Sequence, residues 1–310
     1  MRKYFLLTSL GLLLFSCANS EEKEAVKLTS FKDKISYALG ADHARAITES
    51  GDPNYGKYDL VKMVDGFEQG LKNKESFDES CKTTLMKLYG NSGRSFDPKF
   101  AVKGSECIGK LSGVIFNSSW TKNKALDKID LKLVIKGFTD GLNKVDTIIK
   151  RDEQSMMIQN FMFDIYKLNG EKLISDAKKI KGTTITPSGI VVQTIKEGNG
   201  TNPVKGGDVL AHYILMNALG DTLQSSFDMV KIYKQPLTAF GLANVIKGWQ
   251  EGIPMMKKGG TYKLYVPYHL AYGEQGMYNP QSKKYDIQPY QSLVFYIELI
   301  NHGPAGSLTK

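Results

Sequence analysis

The side chains that usually carry covalent or metal chemistry are few and poorly spaced in this chain of 310 residues. The four histidines, His43, His212, His269 and His302, show no ligand spacing with cysteines or carboxylates. There is no Gly-x-Ser-x-Gly elbow, no Walker-type loop and no dinucleotide fingerprint. No cofactor, metal or covalent intermediate is therefore expected. The most organised stretch is residues 245–256, VIKGWQEGIPMM, in which Val245, Trp249, Ile253 and Met256 fall on one face of a short helix. Gly248 and Gly252 flank that face, a cost to helix propensity that makes sense only if a sheet or a ligand approaches the backbone closely.

The elements that must position this stretch lie on both sides of it. After Gly182 the hydrophobic period is two: Val209, Ala211, Tyr213 and Leu215 alternate, as do Tyr262, Leu264 and Val266, then Leu293, Phe295, Ile297 and Leu299. An antiparallel sheet with an aromatic inner face, wrapped over the helix at Trp249, is predicted. Before Gly182 the spacing is helical. Phe31, Ile35, Leu39 and Ile47 mark one helix, and Leu60, Val64, Phe67 and Leu71 a second. Ser76 and Glu79 make a capping box for a third, through Cys81, Leu85 and Leu88. Lys110-Leu-Ser-Gly113 echoes Tyr37-Ala-Leu-Gly40, an offset of 73, and the Gly-Phe-x-x-Gly-Leu run at Gly66 returns at Gly137, an offset of 71. A degenerate helical duplication is the expectation. Residues 146–180 read as one long helix, with a break possible at Asn169-Gly170, a stripe of Ile158, Phe161, Met162, Ile165 and Leu168, and a polar, solvated end.

The fold class is thus α+β: a C-terminal antiparallel sheet over one short helix, preceded by an all-α N-terminal domain and a long connector helix. The divisions are 1–17 leader, 18–30 tether, 31–145 helical domain, 146–182 connector, 183–302 sheet domain and 303–310 tail. Arg2 and Lys3 precede an apolar run too short to span a bilayer, the form of a secretory signal. Leu14-Phe15-Ser16-Cys17 resembles a bacterial lipobox, which makes Cys17 the lipidated mature N-terminus and the membrane a partner through that lipid. Ala18 after the cysteine favours the outer membrane, and Glu21 and Glu22 resemble surface-export tags, although a charged tether explains them as well. Cys81 and Cys107 either bridge in an oxidising compartment or stay as buried thiols. The net charge of +9 is spread without an aromatic-interleaved basic stripe, so nucleic acid is not an expected partner.

A set of motifs occurs in order over residues 186–295: Thr186-Pro-Ser-Gly189-Ile190, Glu197-Gly198, Ala211-His212-Tyr213, Ser225-Ser226, Gln235-Pro236-Leu237, Gly248-Trp249, Glu251-Gly252, Leu270-Ala271-Tyr272-Gly273 and Leu293-Val294-Phe295. Together they resemble an FKBP-type peptidyl-prolyl cis-trans isomerase domain. The first half, with Asp33-Lys-Ile-Ser-Tyr37-Ala-Leu-Gly40, is similar to the helical domain of exported Mip/FkpA-like members. The resemblance implies that Xaa-Pro segments of exported polypeptides bind an apolar cleft and are isomerised there. It makes Trp249 the cleft floor, with Tyr213, Gln224, Ile246, Tyr272 and Phe295 as the catalytic set and Leu223, Leu237, Phe240, Val245 and Ile287 as substrate walls. Tyr272 and the Ile246 N–H would hydrogen-bond substrate carbonyls. It also implies a homodimer through the helical half.

Two departures stand out. The usual Phe-Asp-Ser-Ser is here Leu223-Gln224-Ser225-Ser226, so the cleft lacks the aspartate's charge. The loop 274–286, carrying Met277, Tyr278 and Tyr285, is longer than in minimal members, whose loop overhangs the cleft mouth. Gln224 motivates an alternative in which the cleft is a weakly catalytic or non-catalytic chaperone module for proline-containing segments.

Overall fold

The computed structural model describes residues 26–90, 95–145, 148–232, 234, 237 and 239–309. The leader, Cys17 and most of the tether lie outside the described residues. Six helices come first: α1 Phe31–Thr48, α2 Leu60–Lys72, α3 Glu79–Tyr89, α4 Ala101–Lys122, α5 Leu131–Leu142 and α6 Arg151–Ala177. Then follow β1 Thr183–Ile185, β2 Val191–Lys196, β3 Asp208–Asn217, β4 Thr222–Ser225, α7 Ser226–Lys231, β5 Ala239–Gly241, α8 Lys247–Gly252, β6 Thr261–Val266, β7 Met277–Asn279, β8 Lys284–Ile287 and β9 Leu293–Gly303.

The helical half is held by two tight pairs, α1 on α5 and α2 on α4. Glycine makes the approach possible. A Cβ on Gly40 would lie 1.9 Å from the Val134 carbonyl oxygen, and one on Gly109 would lie 2.0 Å from that of Met63. These contacts correct the register of the repeat. Gly40 matches Gly109, not Gly113. Gly109 and Gly113 sit one helical turn apart on the same face of α4, so short motifs could not tell them apart, whereas packing can. The capping box at Ser76 is also corrected. Ser76 closes a 3-10 turn, Lys74–Ser76, and α3 is capped instead by Asp78, whose carboxylate accepts from the Cys81 N–H. Cys81 and Cys107 form a disulfide that ties α3 to α4, both halves of it buried.

α6 runs unbroken past Gly170, where the missing side chain admits Ser292 of the sheet domain. Its first half buries Phe161 and Ile165 in the helical core, with Ile158 and Met162 packed beside them and Leu168 exposed. Its second half is not a solvated connector. Ile174 and Ala177 pack on Val191, Tyr265 and Val294, the outer face of the sheet.

The main sheet runs β1-β2-β6-β9-β3-β4, with β5 also on β3, all antiparallel. The alternating residues face inward as the period of two requires: Val209, Ala211, Tyr213 and Leu215 of β3 and Leu293, Phe295, Ile297 and Leu299 of β9 are all buried. The helix at Trp249 is shorter than the run of apolar residues suggested. α8 gives way to a 3-10 turn, Ile253–Met255, where Pro254 removes a backbone donor. Its glycines face the sheet: a Cβ on Gly248 would lie 2.5 Å from Val266 Cγ1, and one on Gly252 would lie 2.4 Å from Leu264 Cδ1. The close approach is to β6, not to a ligand.

Candidate active site

Between α8 and the inner face of the sheet lies a cavity of about 250 Å³, lined by Tyr213, Leu215, Gln224, Phe240, Asn244, Val245, Ile246, Trp249, Tyr272 and Phe295. The sheet register builds its back wall. Phe295 stands between Leu215 on β3 and Leu264 on β6, so the ring emerges from the centre of the sheet. α8 lays the Trp249 indole across that row. Tyr213, Phe240 and Phe295 meet the indole edge-to-face at ring-centroid distances of 5.6, 5.5 and 5.3 Å. Such T-shaped contacts match ring edge to ring face and each add about 0.5–1.5 kcal/mol beyond area burial. Trp249 is 4% exposed, and its buried Nε1 has no acceptor among the described residues. Packing alone therefore fixes the floor.

Hydrogen bonds fix the rim. The Ser226 hydroxyl accepts from the Tyr213 N–H at 2.7 Å and lies 3.1 Å from His212 Nδ1, which pins the start of α7 to β3. Ser225 caps α7 by accepting from the Asp228 N–H. The two serines thus hold β4 in place, and with it Gln224. The Gln250 side-chain amide donates to the Val245 carbonyl at 2.8 Å and sets the turn that presents Val245 and Ile246. Gly273, at φ +66°, takes a left-handed turn after Tyr272 that a side chain would strain. Among the described residues neither the Tyr272 hydroxyl nor the Ile246 N–H has a protein hydrogen-bond partner.

Among the described residues no charged side chain lines the cavity. Burial raises the pKa values of both Tyr213 and Tyr272, which keeps the phenols neutral and able to donate. The site can hold an apolar ring and donate to flanking carbonyls. Among the described residues no cluster of His, Cys, Asp or Glu could hold a metal ion.

Eight of the residues named from the sequence meet here: Tyr213, Gln224, Phe240, Val245, Ile246, Trp249, Tyr272 and Phe295. Three do not. Leu223, next to Gln224 on β4, faces a different cavity of about 390 Å³ between the sheet domain and the helical half, together with Lys122, Asp221 and Tyr285. Ile287 is 2% exposed within the core, and Leu237 is half-buried off the cavity lining. The loop 274–286 is built around the β7–β8 hairpin, whose Tyr278 and Tyr285 rings pack together at 5.2 Å, and Tyr285 turns to the inter-domain cavity. Two lining residues went unnamed. Leu215 was available from its alternation with Tyr213, while Asn244, in a 3-10 turn, gave no periodic signal.

A family profile described as FKBP-type peptidyl-prolyl cis-trans isomerase matches residues 199–300. An FK506-binding protein of Neisseria meningitidis serogroup B is 36% identical over 113 residues, 36% of this chain and 94% of that protein. The peptidyl-prolyl cis-trans isomerase Mip of Coxiella burnetii is 30% identical over 196 residues, 57% of this chain and 80% of that protein. The crystal structure of FkpA from Escherichia coli aligns at 26% identity with a TM-score of 0.39, covering 66% of this chain and 96% of that one.

Proposed function

Because this chain belongs to the FKBP-type peptidyl-prolyl cis-trans isomerases, we propose that it isomerises Xaa-Pro bonds of exported polypeptides in the cavity floored by Trp249. The observation that carries this reading is the uncharged box of rings around that indole. Rotation about an Xaa-Pro bond is slow, tens of seconds or longer, because amide resonance must be lost. The twisted amide is less dipolar than the planar one. An apolar, water-poor cavity therefore favours the transition state over the ground state, provided the flanking peptide is held. In this reading the proline ring rests on Trp249 between Tyr213, Phe240 and Phe295. Tyr272 and the Ile246 N–H, both without a protein acceptor among the described residues, donate to carbonyls of the bound segment. Gln224 supplies a neutral amide where the family's usual motif places aspartate.

The same neutral residue favours a second reading, in which the cavity holds proline-containing segments and turns them over weakly. Catalysed exchange of short Xaa-Pro peptides separates the two.

For location, we propose export with lipid on Cys17 and a membrane anchor, on the outer membrane given Ala18. The Cys81–Cys107 disulfide supports an oxidising compartment. Labelling with a clickable fatty acid, lost in Cys17→Ala, tests the anchor. The homodimer that the resemblance implies stands apart from this reading; Phe161 and Ile165 of α6 face the chain's own core, and Leu168 is exposed.

A further inference from the structure

The two repeats of the helical half do not each fold on themselves. α1, the first helix of one repeat, packs on α5, the second helix of the other, and α4 packs on α2 in the same way. The contacts are reciprocal. Gly40 abuts the Val134 carbonyl and Gly109 that of Met63; in return, Cβ atoms on Gly137 and Gly66 would lie 2.0 Å and 2.1 Å from the Tyr37 and Glu106 carbonyl oxygens. The entrances to α5 and α2 match too. The Asp130 N–H donates to Ser36 Oγ at 2.8 Å, and the Asp59 N–H donates to Ser105 Oγ at 3.0 Å.

Corresponding residues also meet each other. Phe67 and Phe138 stack at 3.8 Å with planes 12° apart. His43 and Ser112, 69 positions apart as Gly40 and Gly109 are, lie with His43 Nε2 2.9 Å from Ser112 Oγ. A residue touches its own counterpart only on a two-fold axis, and paired contacts in which i meets j and j meets i are the mark of an isologous interface. Here that interface joins two segments of one chain.

We infer that the helical half is a two-fold duplex with exchanged helices, closed within a single chain, and that the protein is a monomer carrying one cleft per particle. The two-fold interface of the helical half is formed by the chain's own two repeats. Client capture then has no gain from two linked clefts, a gain that can reach about 10²–10⁴ in bivalent assemblies. This inference does not depend on what the cleft catalyses.

The test uses the chain from Ala18 onward with Glu49→Cys and Arg151→Cys. Those side chains form an exposed ion pair at 2.8 Å, bringing the end of α1 to the start of α6. A short bis-maleimide is applied without reductant, and mass is read by denaturing gel and by light scattering over a wide concentration range. The expected result is a one-chain mass throughout, with both thiols bridged inside that chain. A two-chain mass, a bridge between chains, or a one-chain particle whose thiols do not bridge overturns the inference. Light scattering of the unsubstituted chain gives the same mass reading without substitution. Peptide turnover is measured in parallel, and its absence would count against the cleft assignment and leave the chain count untouched.

Discussion

Leu223 and Gln224 are neighbours on β4, yet they face different cavities: Gln224 turns into the aromatic box around Trp249, and Leu223 turns toward the groove shared with the helical half. Lys122 of α4 reaches across that groove to Asp221, 2.8 Å away, just before β4. Alternation along a strand explains the split. It also makes Gln224 the residue through which charge can be put back into the cleft.

Gln224→Asp is expected to raise turnover of Xaa-Pro peptides severalfold at neutral pH. The gain should vanish as pH falls through about 4, where an ordinary aspartate protonates. A pH series of exchange rates for both proteins checks this. Equal rates at neutral pH would show that the amide already does what the carboxylate would.

His43 sits among Phe67, Phe116 and Phe138, and burial lowers its pKa from 6.5. Above 6.5 the imidazole is neutral whether the chain is folded or not, so it adds no pH dependence there. Below 6.5 the unfolded chain takes up a proton that the folded chain resists. Stability should therefore fall as pH drops below 6.5, by about 1.4 kcal/mol for each unit that the folded value is depressed. Denaturant titrations between pH 8 and 5 would show the slope, and His43→Leu should flatten it. A profile unchanged by that substitution would locate the effect elsewhere.

Gly109 and Gly56 make opposite predictions for the same change. A Cβ on Gly109 would lie 2.0 Å from the Met63 carbonyl oxygen, while Gly56 has open space and no positive φ. Gly109→Ala must push α2 and α4 apart and should cost about 1–3 kcal/mol or more, as overpacking does. Gly56→Ala should be neutral or stabilise by about 0.4–1 kcal/mol through the unfolded chain. Thermal unfolding of the pair decides it.

The Cys81–Cys107 bridge closes a loop with a sequence separation of 26. Its removal by Cys81→Ala with Cys107→Ala should cost about 2–4 kcal/mol. Unfolding of the helical half should shift to lower denaturant, while turnover in the distant cleft holds. Equal loss of both would mean that the two halves unfold as one unit.

Much of this was legible before the structure. Trp249, Tyr213 and Phe295 could be placed because a period of two fixes which strand residues share a face, and because the ordered motifs tie those strands to the helix. Leu223 and Ile287 were misplaced because adjacency in sequence does not say which cavity a side chain enters. The match of Gly40 with Gly109 rather than Gly113 was hidden because both glycines lie on one helix face. The docking of Ile174 and Ala177 on the sheet was hidden by the lysines around them. Ile174 and Ala177 are the buried side chains there, with Leu173 and Ile180 packed beside them. The exchange of helices between repeats is a property of pairing, which no repeat motif contains.

The most direct measurement is NMR exchange of a short Xaa-Pro peptide with the chain from Ala18 onward and with its Trp249→Leu variant, each checked for fold by circular dichroism. Exchange well above the uncatalysed rate is predicted for the first protein, with a loss of at least about ten-fold in the variant, equivalent to about 1.4 kcal/mol of transition-state stabilisation. Background exchange by the unsubstituted folded chain, or undiminished exchange by the folded variant, would contradict the assignment of catalysis to this cleft.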